Sequence, residues 1–157
     1  MLLSPLTYIS HALDEHLKNQ FNLVDRIALL NRIVEIDGSV PNVYQNKVIV
    51  TLINTQIETI RPHGRTASTD APMRKGTTSY VQTVVLSANF DDYLEALKFL
   101  DASSNFIEQN ALFTTENSSN IPTDIDRIRI EKENLDLGEM KSIWKTLGAR
   151  MIPFIAV

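Results

Sequence analysis

The side chains able to hold a metal or move a proton are few and mostly ill placed for either task. His11 and His16 stand five residues apart, not the four that would bring two imidazoles onto one helical face as a chelate. His63 lies alone in a polar stretch. Asp91 and Asp92 precede Glu95, but carboxylates gather at helix starts because the exposed amides and the helix dipole favour negative charge there. A cap explains this trio better than acid–base catalysis. Glu131 and Glu133 are interleaved with Arg127, Arg129 and Lys132, as expected for ion pairs on the wet face of a sheet. Gly64 and Gly76 have neither the spacing nor the strand-to-helix context of a phosphate loop. No serine sits in a nucleophile elbow. The chain has no cysteine, which removes disulfides, thiolate metal sites and cysteine nucleophiles. These residue types point to no catalytic, cofactor or metal site. Trp144 reads as a packing anchor whose indole N–H would want a partner once buried.

The remaining cluster is basic. Arg61, Arg65, Arg74 and Lys75 lie in a segment, 61–78, that also holds Pro62, Gly64, Pro72 and Gly76 and has no periodic apolar pattern. It reads as a long loop, a class that is usually functional or disordered in a small domain. Without aromatic side chains to stack on bases it is a poor single-strand binder. A docking contact on an acidic protein surface suits it better, and a plain solvated loop suits it equally well.

At 157 residues the chain fits one domain. Hydrophobic residues make up 43% and charged residues 22%, an ordinary globular composition. Lys and Arg number 15 against 19 Asp and Glu, for a net charge of −4, which argues against a general nucleic-acid binder. No apolar run approaches the roughly 20 residues that span a bilayer. Met1-Leu2-Leu3-Ser4-Pro5 lacks the basic start of a signal peptide. The expectation is a cytoplasmic protein with no membrane partner.

The elements that would carry these residues follow from periodicity. Ser4 as cap and Pro5 as first helical residue, with Leu6, Ile9, Leu13 and Leu17 at helical spacing, predict a helix over about 5–20. Phe21 to Leu30 reads as a linker or further helical turn. Arg32 to Ile36 reads as a short strand ended by Asp37-Gly38, and 42–46 as loop. Lys47 to Ile60 and Ser79 to Ala88 are strong strand patterns, the first covered on both faces near its start. A second helix starts at Asp91 or Asp92, its stripe marked by Tyr93, Ala96, Leu97, Leu100 and Ile107, with Phe99 and Phe106 at the edge. Residues 110–122 read as polar and turn-rich. Ile125 to Asn134 alternates as a half-exposed strand, and the crossover from Ser79–Ala88 favours its lying parallel to that strand. Asp136 with Glu139 has the form of a capping box. Met140, Ile143, Trp144 and Leu147 share a face, and Gly148 closes a third helix before a terminal strand at Ile152–Val157. The fold class is α/β: one domain, a small mixed sheet packed by about three helices.

Three stretches together resemble one family, the cap or tail-terminator proteins of phage-tail-like contractile injection systems. They are Asn46 to Asn54 with Glu58 after it, Val85 to Phe113, and Ile128 to Val157 with Leu137-Gly138-Glu139-Met140-Lys141-Ser142-Ile143-Trp144-Lys145-Thr146-Leu147-Gly148-Ala149 at its centre. With the first helix, the resemblance spans nearly the whole chain. It implies a tail-terminator-like α/β domain without catalytic residues or cofactor. It further implies a homo-oligomeric ring, expected to be a hexamer, on the baseplate-distal end of the inner tube and sheath. There it would stop tube growth and anchor the last sheath ring, the protein being cytoplasmic during assembly and then part of a particle that can be released. Some relatives continue past the final strand, whereas this sequence stops at Val157 within it, so the terminal strand is expected to be free to pair with a neighbour. The residues expected to meet tube and sheath proteins are Arg61, Arg65, Arg74 and Lys75 of the basic loop, Arg127 and Arg129 of one strand edge, and Ile152, Phe154 and Ile155 of the other, with strand addition at those edges as the mode. The alternatives are a tail-completion or baseplate adaptor of the same particle, or a small-ligand-binding α/β domain with a pocket at His63 or the Glu131/Glu133 pair.

Overall fold

In a computed structural model, which describes residues 2–60 and 77–157, the chain begins with helix α1, Leu3–Phe21. Leu6, Leu13 and Leu17 line its buried face with Ser10 and Asp14. The helix starts two residues earlier than Ser4 and Pro5 suggest. Ser4 is not its cap; the hydroxyl instead donates to Asp124 at 3.3 Å. Asn22 ends the helix in the left-handed region, φ 52°, and the Leu23 N–H bonds back to the Lys18 carbonyl at 2.9 Å.

The first strand is β1, Ala28–Leu30, inside the stretch read as linker. Asp14 is the cause. Its carboxylate is buried and accepts the N–H groups of Ile27 and Ala28 at 2.7 and 2.8 Å. Arg32 to Ile36, expected as a strand, is irregular instead. Glu35 exchanges bonds with Ser39 and Gly38 across a tight turn, and Gly38 adopts φ 82°. Ile33 is buried there, while Ile36 is 92% exposed.

A single 3-10 turn, Asn42–Tyr44, leads into β2, Lys47–Ile60, which pairs antiparallel with β3, Thr77–Asn89, along their whole lengths. The register shifts between Leu52 and Asn54, leaving Ile53 as an extra residue. Helix α2, Tyr93–Gln109, is capped by Asp92, whose side chain accepts the Glu95 N–H at 3.0 Å. Its buried face is rotated from the expected one. Phe99, Ala102, Ser103, Phe106 and Ile107 point inward with Ala96, while Tyr93 and Leu97 are exposed. Phe99 is held between Phe21 and Phe90, with ring centroids 4.6 Å away in both cases. Such aromatic burial outweighs the aliphatic stripe at its side.

Residues 110–122 contain a strand the sequence hid: β4, Leu112–Thr114, pairs antiparallel with β5, Arg127–Arg129, as a separate two-stranded sheet. Strand β5 is therefore three residues long and is not the parallel neighbour of β3. Helix α3, Leu137–Leu147, has the full capping box between Asp136 and Glu139, and Gly148 closes it at φ 68°. Strand β6, Phe154–Ala156, returns antiparallel to β3.

The main sheet runs β1-β2-β3-β6, with β1 parallel to β2 and the other pairs antiparallel. One face, bearing Val48, Val50, Val84 and Leu86, packs on α1, α2 and the small sheet. The other, bearing Ile49 and Val85, packs on Trp144 of α3 with Ile33 and Tyr44. The described residues form one α/β domain with three helices and a mixed sheet.

Candidate functional site

The residues expected to make contacts fall in three places. Arg61, Arg65, Arg74 and Lys75 lie in the 61–76 link between β2 and β3, outside the described residues, as does His63. Arg127 and Arg129 stand exposed on β5. Arg129 pairs with Glu131, and Lys132 with Glu108 of α2. Such solvated pairs stabilise by only about 0–1 kcal/mol and leave the charges readable by a partner. Ile152, Phe154 and Ile155 are half-buried and serve the interior first. Phe154 meets Trp144 edge-on at 5.3 Å, Ile152 joins the same cluster, and Ile155 joins the opposite core.

The backbone edges show which strands can still accept another. The start of β1 is closed by side chains: Asp14 takes the N–H groups of Ile27 and Ala28, and the Arg26 Nε donates to the Ala28 carbonyl at 3.2 Å. On β4, Asn117 accepts the Thr114 N–H at 2.8 Å and donates to the Leu112 carbonyl at 2.9 Å. On the outer side of β6, the Ala156 carbonyl already accepts the Glu133 N–H at 2.8 Å. Closing edges in this way blocks unwanted strand addition. Glu133, singled out in the sequence as half of a carboxylate pair, thus contributes its backbone rather than its side chain.

The long hairpin is different. Strand β1 pairs only with Val48 to Val50, and β6 with Val85 to Ser87, supplemented by bonds between Val157 and Val84. Beyond these, residues 54–60 and 77–83 pair with each other and with no other strand among the described residues. They form a two-stranded arm about 23 Å long at ~3.3 Å per residue. Alternation places Thr55, Ile57, Tyr80 and Gln82 on the face that carries Val84, and Asn54, Gln56, Glu58, Ser79, Val81 and Thr83 on the other. Ile57 is 66% exposed and Tyr80 45%. The Gln82 side chain donates to the Leu2 carbonyl at 2.9 Å and ties the arm's root to the start of α1.

An open groove of about 940 Å³ lies between α1 and residues 109–122, lined in part by Leu3, Tyr8, His11, Glu15, Phe113 and Asn117. No sequence pattern marks it, because its second wall is the largely irregular stretch after α2. Glu15 accepts from Lys18 at 3.0 Å, and this bond holds the lysine above its ordinary range. His16 lies against Phe106 at 5.4 Å with its Nε2 buried and unpartnered. The Trp144 indole N–H is likewise buried without a partner. Among the described residues no three His, Asp or Glu side chains converge as a metal-binding group, and no helix is long and apolar enough to cross a membrane.

Residues 6–157 match the model of one protein family, described as the Pvc16 N-terminal domain. The chain belongs to that family. Pvc16 N-terminal domains are structural components of phage-tail-like particles. No curated protein matches the chain. In this Pvc16 N-terminal domain α1 and α2 hold one face of the main sheet and α3 the other.

Proposed function

We propose that this Pvc16 N-terminal domain caps the baseplate-distal end of a contractile injection particle, where copies close into a ring on the last layer of tube and sheath. The ring stops further tube subunits from adding and gives the last sheath layer its anchor. The observation that carries the reading is the family match across residues 6–157, which coincides with the resemblance to tail-terminator proteins. A ring of identical subunits needs head-to-tail contacts that close by rotation. A terminator also needs one face that fits the growing end and another that offers no further docking site. The short, partly bonded edges of β1, β4 and β6 support a surface that disfavours strand addition. Arg127, Arg129 and the basic residues Arg61, Arg65, Arg74 and Lys75 are the charges proposed to meet the tube or sheath.

The test is location. A label fused to the chain, imaged on isolated particles, is expected at the blunt end only. Label at the spiked end would replace the cap with the baseplate adaptor role, and label absent from particles would reject both.

A further inference from the structure

Strand edges are where this molecule is most selective. Three of its short strands, each three residues long, have some of their outer backbone groups bonded within the chain itself. Strand β5 offers three residues, too few for a firm ladder. The arm presents the two longest unflanked edges among the described residues, one on β3 and one on β2, where the Thr55 N–H is bonded to the Asn54 side chain at 2.9 Å. An open edge needs another open edge, because backbone N–H and C=O groups removed from water must find partners. On a second copy of this chain, the matching edge is again the arm. Strand β2 runs antiparallel to β3, so β2 of one copy set beside β3 of the next continues one antiparallel sheet with its pleat intact.

We infer that the arms of adjacent copies pair edge to edge, β2 against β3, to make a continuous sheet around the ring. This rests on the ring reading above and supplies its contact. The contact is heterologous: each copy uses its two different edges on two different neighbours, as closure by rotation demands. The paired sheet is two-faced. Asn54, Gln56, Glu58, Ser79 and Thr83 populate one side with Val81, while Ile57 and Tyr80 of every copy line up on the other. Area argues for a ring over a free dimer. A strip about 23 Å long and ~10 Å deep covers on the order of 230 Å² per partner, against about 800 Å² in a stable pair. One such joint is too small to persist alone. Two joints per copy, on a template, reinforce each other.

The absence of native cysteine makes the test direct. Single variants Asn54→Cys, Gln56→Cys and Glu58→Cys on β2, and Ser79→Cys, Val81→Cys and Thr83→Cys on β3, all lie on the same face. They are expressed singly and in β2-plus-β3 mixtures in cells that assemble the particle, then oxidised. Ile36→Cys, at a 92% exposed site off the arm, is the control. The expected result is a disulfide-linked dimer in at least one mixture, none in any single variant and none with Ile36→Cys. No linked dimer in any mixture overturns arm pairing, wherever the label places the protein, and so leaves the cap reading to be judged by location. Linkage within single variants overturns the head-to-tail arrangement.

Discussion

The hairpin of β2 and β3 passes through two environments without changing its strand character. From Val48 to Val50 and from Val84 to Ala88 its side chains are buried between helices on both faces. From Asn54 to Glu58 and Tyr80 to Val81 they stand largely in solvent, with Ile57 and Tyr80 uncovered. The pairing is continuous across the boundary, apart from the extra residue Ile53. Strand propensity is therefore the same kind of statement in both halves, whereas burial is not. The buried half holds the fold, and the projecting half is free to contact something else. An isolated two-stranded ribbon is only marginally stable in water. The root of this one is anchored by the four-stranded sheet and by the Gln82 contact to Leu2.

This contrast can be broken in graded steps. Leu86→Ala, in the buried half, should cost about 2–5 kcal/mol by chemical denaturation, since a filled core position loses both transfer energy and packing. A cost below ~1 kcal/mol would mean the sheet is not the stabilising half. Asp14→Ala should come next, at about 2–3 kcal/mol, because it strands the buried N–H groups of Ile27 and Ala28. It should also open the β1 edge and increase self-association, measurable by light scattering; Asp14→Asn, which keeps an accepting oxygen, should fall between. Asp136→Ala removes the α3 cap and should cost about 1 kcal/mol. Sole Trp144 fluorescence reports whether the α3 core loosens at the same denaturant concentration as the sheet.

A smaller effect depends on pH. The Tyr44 hydroxyl donates to Glu35 at 2.7 Å, and this bond, with burial, raises the phenol above its ordinary range. A raised folded value favours the protonated form, so the contribution is complete below the unfolded value of about 10 and is lost as pH rises through the folded one. Stability should therefore decline above about pH 10, and Tyr44→Phe should flatten that part of the decline. The smallest effect closes the comparison. Ile57→Ala, in the projecting half, should change stability by no more than about 0.5 kcal/mol, as at ordinary surface sites.

The sequence made some elements plain and concealed others for identifiable reasons. Asp136, Glu139 and Gly148 announce both ends of α3, because caps are local hydrogen-bond chemistry. The strands of the hairpin are readable from their β-branched runs, yet nothing in their pattern marks where flanking strands stop. That limit is set by β1 and β6, which are distant in the chain. Strand β1 escaped because three residues carry no period and are held by Asp14, a side chain thirteen residues earlier than its first partner. Strand β4 escaped for the same reason, its edge shaped by Asn117. The α2 face was misjudged because Phe21, Phe90 and Phe113, all outside the helix, decide which of its residues turn inward. Of the candidate contacts, Arg127 and Arg129 are placed on the surface as read, while Ile152, Phe154 and Ile155 are divided between the two cores. The edge contacts of β1, β4 and β6 have no sequence signature, since each depends on a bond made only after folding.

The most direct measurement of the cap role is the length distribution of particles, imaged from cells with and without this chain. With the chain present, tubes should share one length and carry sheath to the end. Without it, tubes should lose their common length and the distal sheath should detach, and re-expression should restore both. Uniform, fully sheathed tubes in its absence would contradict the assignment.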